Sequence, residues 1–179
     1  MSILVLQGSS RADGNTEQLT RLALEGLPHK QILLRELSIL PIRDQRHERG
    51  GFDPVADDYE SVIMEVLRHD KIIFATPVYW YTMSGVMKNF IDRWSQSLRS
   101  ADYDFKASMA QKKAYVIAVG GDDPRMKAMP LIQQMKYCFE FVGMSFESYV
   151  IGKASRPGDI LQDTRALSDA MLLNRELGS

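Results

Sequence analysis

The chain has 179 residues, 45% of them hydrophobic and 25% charged, with a formal net charge of −1. A single domain of that length buries a substantial core, and near-neutrality gives no electrostatic basis for nucleic acid or an anionic membrane as partner. Cys138 is the only cysteine, which excludes an internal disulfide and a cysteine-ligated iron–sulfur cluster and fits a reducing compartment.

In chain order, Ile3–Leu6 reads as a buried strand and runs into Gln7-Gly-Ser-Ser-Arg-Ala-Asp-Gly-Asn-Thr16. From Thr16, apolar residues at Leu19, Leu22, Ala23 and Leu27 recur at helical spacing until Pro28. Ile32-Leu-Leu34 is a second short strand, and the polar stretch from Pro41 to Pro54 is a long loop. Asp57 and Asp58 precede a helix carrying Tyr59, Val62, Ile63, Val66 and Leu67, with the acids at its positive end. Lys71–Thr76 is a third strand stopped by Pro77, and Val86 to Leu98 a helix on which Lys88, Asp92 and Arg93 read as solvated or interface charges. Lys113–Val119 is a fourth strand ended by Gly120-Gly121, followed by a helix from about Met126 to Phe141 that Gly143 stops. Phe146–Ile151 is a fifth strand, and a last helix covers about Gly158 to Leu177.

No apolar run approaches the ~20 residues of a membrane span, and the chain opens on a strand pattern rather than a basic, cleavable leader. The expected location is the cytoplasm. Short apolar strands alternating with helices predict one α/β domain, residues 1–179, with a parallel sheet covered on both faces. In such sheets ligands bind at the carboxyl ends of the strands, where strand order reverses, so the loops after strands one, three and four are read together.

The first loop can be sorted by elimination. A nucleotide-triphosphate loop needs Gly-x-x-x-x-Gly-Lys-Ser/Thr, but Gly8 and Gly14 are too far apart and Asn15 stands in place of lysine. Gly8 is followed by Ser9-Ser10, so the dinucleotide Gly-x-Gly-x-x-Gly is absent. No cysteine lies in the loop to serve a phosphatase. Two readings stand: a site that holds a phosphate through Ser9, Ser10, Asn15, Thr16 and backbone amides with Arg11 as charge partner, or a capped helix with a solvated turn.

After the third strand, Pro77-Val-Tyr-Trp-Tyr81 sets three aromatics at a strand end. Flat rings there suit the covering of a planar heterocycle; the alternative is packing on a neighbouring helix or another subunit. A phosphate cradle beside an aromatic loop describes a phosphorylated ring system, and flavin mononucleotide (FMN) fits. His29 and His69 read as surface residues, Met126, Met129 and Met135 as core filler, and no residues show metal-ligand spacing. Arg46-His47 and Asp57-Asp58-Tyr59 read as solvated loop and helix cap with no assigned role.

Gly-Ser-Ser-Arg-x-x-Gly-Asn-Thr together with Thr-Pro-Val-Tyr-Trp-Tyr-x-Met-Ser-Gly-x-Met-Lys-x-Phe-Ile-Asp-Arg resembles the flavodoxin-like NADPH-dependent FMN reductase family. The resemblance implies a doubly wound five-stranded parallel sheet of order 2-1-3-4-5. It implies that Ser9, Arg11, Asn15 and Thr16, with Ser10 beside them, hold the FMN phosphate. Pro77, Val78, Tyr79 and Trp80 would line the isoalloxazine and ribityl chain, and Gly120-Gly121-Asp122 would approach the ring from the other side. A branch of this family carries a cysteine cluster after the second strand; the corresponding 41–54 stretch here has no cysteine, so electrons must come from a soluble donor or a protein partner.

The resemblance further implies hydride transfer from NADPH or NADH through FMN to a small acceptor such as a quinone, an azo or nitro compound, or free flavin. No catalytic side chain is required, because the cofactor carries the chemistry. Two alternatives stay open: a one-electron flavodoxin-type carrier, which the net charge of −1 disfavours, and a non-catalytic flavodoxin-like protein. A homodimer or homotetramer covering the flavin is expected.

Overall fold

Strands whose apolar residues run continuously must be buried on both faces, and the central ones are. In the computed structural model, which describes residues 1–179, β1 (Ile3–Gln7), β2 (Lys30–Leu33), β3 (Lys71–Pro77), β4 (Lys113–Gly120) and β5 (Ser145–Lys153) form one parallel sheet in the order β2-β1-β3-β4-β5. That is the flavodoxin-like order, with the reversal between β1 and β3. Register places Leu6 opposite Phe74 and Phe74 opposite Val116.

Alternation along the strands splits the core in two. Leu4, Leu6, Ile72, Phe74, Val116 and Ala118 face α2 (Tyr59–Arg68), α3 (Gly85–Asp92), α4 (Trp94–Ser97), α5 (Phe105–Met109) and α7 (Met129–Val142). Ile3, Val5, Ile73, Tyr115 and Ile117 face α1 (Asn15–Ala23) and α8 (Thr164–Gly178). Phe74 is at the centre of the first layer, with ring centroids 4.8 Å from Phe139 and 6.2 Å from Trp94. Two almost fully buried lysines close helix ends at the opposite edge of the sheet: Lys71 Nζ donates to Leu177 O at 2.8 Å, and Lys112 Nζ to Leu67 O at 2.9 Å and His69 O at 2.8 Å.

Several boundaries differ from the sequence reading, each for a local reason. The first helix ends at Ala23, and the chain turns through Gly26 at φ 74° rather than continuing to Pro28. The helix expected to run unbroken to Leu98 divides at Arg93 into α3 and α4. A five-residue helix, α5, was too short to show a period; Asp104 caps it by accepting from Ala107 N at 3.0 Å. The helix after β4 is split at Ala128 into α6 (Pro124–Lys127) and α7, which carries a proline in its first turn. Asp163 caps α8, so the last helix starts later than expected, after a single tight turn at 159–162.

Arg93, read as a solvated or interface charge, and Asp57, read with its neighbours as solvated loop and helix cap, are instead buried together, although Asp57 does meet the first amide of α2. Arg93 Nη1 lies 2.6 Å from Asp57 Oδ2, and the two side chains are 3% and 1% exposed. Arg93 also donates to Leu40 O at 3.2 Å and Gln96 Oε1 at 2.9 Å, while its guanidinium covers the Tyr59 ring at 4.6 Å. Asp57 accepts from Leu40 N at 3.0 Å and Tyr59 N at 3.1 Å. The ion pair thus ties the long 37–58 segment to α2 and α3, which explains how so polar a stretch is held. Met126 and Met129 are exposed rather than core, whereas Met135 is fully buried, and His69 is half-buried, its Nδ1 2.7 Å from Glu65 O.

Candidate functional site

The three loops at the carboxyl edge of β1, β3 and β4 share one property. All four non-glycine residues with positive φ fall in them: Asp13 (51°), Trp80 (48°), Tyr81 (65°) and Asp123 (42°). Such backbone costs about 1–3 kcal/mol per residue and gathers at functional sites. Here it converges on the switch point that the strand order marks.

The first loop, residues 8–14, follows β1 so closely that Gly8 N donates to Ala75 O at 2.7 Å. A Cβ on Gly8 would meet Ser84 Oγ at 2.9 Å and Ala75 O at 3.2 Å, so only glycine fits against the start of α3. The loop feeds α1, whose N-cap Gly14 has no side chain to close the helix, leaving the amides of Asn15, Thr16 and Glu17 without partners in the chain. These uncapped donors and the partial positive charge of the helix end make an anion cradle. Gln7, just before the loop, is fully buried with neither amide atom hydrogen-bonded.

The predicted phosphate residues divide by what their side chains already do. Thr16 is 3% exposed, and its hydroxyl makes no hydrogen bond within the chain. Arg11 is exposed and has no acidic partner. Ser9 Oγ is turned inward, donating to Arg11 O at 3.0 Å and accepting from Arg11 N at 3.3 Å, so it braces the loop. Ser10 Oγ lies 3.0 Å from Tyr79 Oη, joining the first loop to the aromatic one. The Asn15 side chain is committed elsewhere: Nδ2 donates to Arg156 O at 2.8 Å, and Oδ1 accepts from Gly158 N at 3.0 Å and Ile160 N at 3.4 Å. Asn15 therefore offers the cradle its backbone N–H, while its amide pins the loop after β5.

The aromatic loop is a tight turn. Tyr79 N donates to Thr82 O at 2.9 Å and Thr82 N to Tyr79 O at 3.1 Å, with Trp80 and Tyr81 as the central residues. Positive φ at both central positions is the geometry usually given to Asn-Gly. Bonds from outside hold it: Ser10 to Tyr79, Thr82 Oγ1 to Gln134 Oε1 at 2.7 Å, and Ser84 N to Thr76 Oγ1 at 2.9 Å. The turn lifts Trp80 clear of the body, 93% exposed, with Tyr79 and Tyr81 at 46% and 45%. None of the three rings belongs to either buried core layer.

Across from the turn, Val78 N donates to Val119 O at 2.8 Å, so the exits of β3 and β4 lie side by side. Between them is a cavity of about 220 Å³, with Val78, Trp80 and Tyr81 on one wall and Gly120, Gly121 and Pro124 on the other. A Cβ on Gly120 would meet Val78 Cβ at 3.0 Å, so glycine lets the exits of β3 and β4 come together, while a Cβ on Gly121 would meet Ser155 Oγ of the loop after β5 at 2.4 Å. Pro77 is the last residue of β3, just before Val78 of the cavity wall. A more apolar groove of about 300 Å³ between α3–α4 and α7 includes Trp94, Tyr137 and Phe141, but it is lined by few polar groups able to orient a ligand.

FMN fits this arrangement on two counts of the structure's own. An uncapped helix N-terminus with a free Thr16 hydroxyl and an unpaired Arg11 matches a phosphate, and a neighbouring cavity lined by Val78, Trp80, Tyr81, Gly120 and Gly121 offers aromatic and backbone surface to a flat ring. Tyr81 and Asp122, both expected at these strand ends from the sequence, meet at the cavity mouth, where Tyr81 Oη donates to Asp122 Oδ2 at 3.0 Å; Lys127 beside them is the residue the sequence did not suggest. Nothing in the spacing marks Lys127.

Comparison with known proteins agrees. Residues 1–151 match the family described as NADPH-dependent FMN reductase. A Bacillus subtilis protein named as an NAD(P)H-dependent FMN-containing oxidoreductase, YwqN, is 53% identical over 174 residues, covering 97% of this chain and 96% of that one. An FMN-dependent NADH:quinone oxidoreductase of Thiobacillus denitrificans is 27% identical over 139 residues, 68% of each chain. The solved structure of the Trp repressor binding protein from Bacillus subtilis superposes with a TM-score of 0.82 at 46% identity, covering 96% of this chain and 97% of that one. The chain belongs to the NADPH-dependent FMN reductase family, and it is an FMN-dependent NAD(P)H oxidoreductase.

Proposed function

We propose that the FMN phosphate is held by the amides at the start of α1 with the Thr16 hydroxyl and Arg11, that the ring lies between Pro77–Trp80 and Gly120–Gly121, and that the electrons pass to a quinone. The observation that carries this is the pairing of an uncapped, cation-flanked helix start with an aromatic-lined cavity on neighbouring loops of one sheet edge. The bound flavin supplies the two-electron chemistry, accepting hydride from a nicotinamide and delivering it onward. The chain's own groups bind and orient. Arg11 and the α1 amides neutralise the phosphate, Ser9 keeps the loop in shape, and the Ser10–Tyr79 bond sets the distance between cradle and cavity. The Gly121 backbone N–H, which makes no hydrogen bond within the chain, would be available to the ring edge where charge collects on reduction.

Trp80, held out at 93% exposure, offers an aromatic face beside the cavity for a planar acceptor or nicotinamide. The quinone reductase named above supports a quinone as acceptor. The near-neutral chain favours this over a one-electron carrier, whose docking on charged protein partners rests on strong opposite charge. Exposed Trp80, Tyr137, Phe141, Met171 and Leu172 support a homodimer or homotetramer, and no helix is long and apolar enough to cross a membrane. Near-neutral charge and a lone, half-buried Cys138 support a cytoplasmic setting.

The test is turnover of the FMN-loaded protein with NADPH or NADH and a benzoquinone. One nicotinamide oxidised per quinone reduced, without accumulation of a one-electron product, is expected. Reduction confined to one-electron acceptors would assign the protein to the carrier class instead.

A further inference from the structure

Lys127 is the only cation lining the cavity between the exits of β3 and β4, and Asp122 is the only anion. Lys127 Nζ lies 2.8 Å from Asp122 Oδ1 and 2.7 Å from Oδ2, and 6.0 Å from the centre of the Tyr81 ring. With the Tyr81 hydroxyl on the same carboxylate at 3.0 Å, the three side chains join the aromatic turn to the loop after β4. The Lys127–Asp122 pair is open to solvent, at 47% and 63% side-chain exposure. Ion pairs so exposed contribute little to folding, so fold stability does not account for this one. It is flanked by left-handed backbone at Tyr81 and Asp123.

We infer that Lys127 tunes the bound flavin, favouring its reduced form, and that Asp122 holds this effect in check. The inference rests on the ring occupying this cavity, as proposed above. A cation fixed at the edge of a slot stabilises negative charge that develops there, and a carboxylate on that cation partly cancels its field. The Asp122 carboxyl sits below the usual range because of its bonds from Lys127 and Tyr81, and the Lys127 ammonium is raised by Asp122. Both groups thus stay charged at neutral pH. Tyr81 shares the carboxylate and holds it toward the cavity, so it acts as a positioning residue.

A charge role and a purely mechanical role predict different signs. Either Lys127→Met or Asp122→Asn breaks the bridge, so a mechanical clasp is loosened equally by both. A charge role makes the two substitutions act in opposite directions.

The experiment measures the midpoint potential of FMN bound to the full chain, together with the affinity for oxidised FMN. In Lys127→Met the preference for reduced over oxidised FMN falls about tenfold, about 30 mV more negative for a two-electron couple. In Asp122→Asn it rises by a similar factor, and Lys127→Arg keeps the wild-type value. Shifts of the same sign in the first two variants, or no shift in either, overturn the inference. If wild-type protein binds FMN without any change in Trp80 fluorescence, measured against Trp80→Phe, the ring is not in this cavity and the placement itself fails.

Discussion

Replacing Arg93 with methionine destabilises the fold by about 3–5 kcal/mol, the effect of removing one partner of a buried ion pair. The guanidinium is the counter-charge of a carboxylate that is 1% exposed, and it also satisfies the carbonyl of Leu40 and the amide of Gln96. Methionine fills much of the volume but leaves the Asp57 charge buried, with only the N–H groups of Leu40 and Tyr59 to meet it. Removing both charges, as Arg93→Met with Asp57→Leu, is expected to be less harmful than Arg93→Met alone, because no unpaired ion remains. Burial pushes the Asp57 carboxyl up, but the bonds from Arg93 and the two backbone amides outweigh it and hold the group below its ordinary value. Its folded-state pKa is therefore depressed, so the pair's contribution is full above about pH 4 and is lost as pH falls through the folded value. In Arg93→Met the unpaired carboxyl protonates more readily, so the gap between variant and wild type narrows in acid. Urea unfolding at neutral and acidic pH reads both effects; a loss below about 1 kcal/mol at neutral pH would mean that water reaches the pair.

Arg11→Ala combined with Thr16→Ala weakens FMN binding by about 3–6 kcal/mol, two charge-assisted hydrogen bonds at about 1.5–3 kcal/mol each. That is about two to four orders of magnitude in Kd. The expectation follows from what each side chain is doing without the cofactor. Arg11 has no acidic partner and the Thr16 hydroxyl no acceptor, so both are available to an anion. The Asn15 amide is spent on the 156–160 loop, so Asn15→Ala is expected to lose less affinity and instead to speed amide exchange at Gly158 and Ile160. Fluorescence titration of FMN measures the affinities. Riboflavin, which lacks the phosphate, provides the control: its binding should not respond to the double substitution. Equal losses for FMN and riboflavin would place the phosphate elsewhere.

The sheet and the gathering of the three loops at its carboxyl edge were legible because they follow from local pattern. Continuous apolar runs give parallel strands, and the loop after β1 could be sorted by the glycines, lysine and cysteine it lacks. What stayed hidden depends on pairings distant in sequence. Arg93 looks like a surface charge until folding brings Asp57 to 2.6 Å. Nothing in the spacing shows that the Asn15 amide also bonds to a loop 141 residues away. Lys127 lies on a four-residue helix with no period to read, and it enters the site only because the glycine-walled exit of β4 turns α6 toward the aromatic turn. The left-handed Trp80-Tyr81 turn uses residues that turn chemistry does not favour, so no signal in the sequence announced it.

The central claim is that this chain carries FMN on the first, third and fourth carboxyl-edge loops and passes electrons from a nicotinamide through it. An anaerobic titration of the FMN-loaded protein, followed in the visible spectrum, tests this most directly. The predicted result is stoichiometric FMN whose bands bleach on adding NADPH or NADH and return when a quinone is added. A protein that takes up no FMN, or whose bound FMN stays oxidised with either nicotinamide, would contradict it.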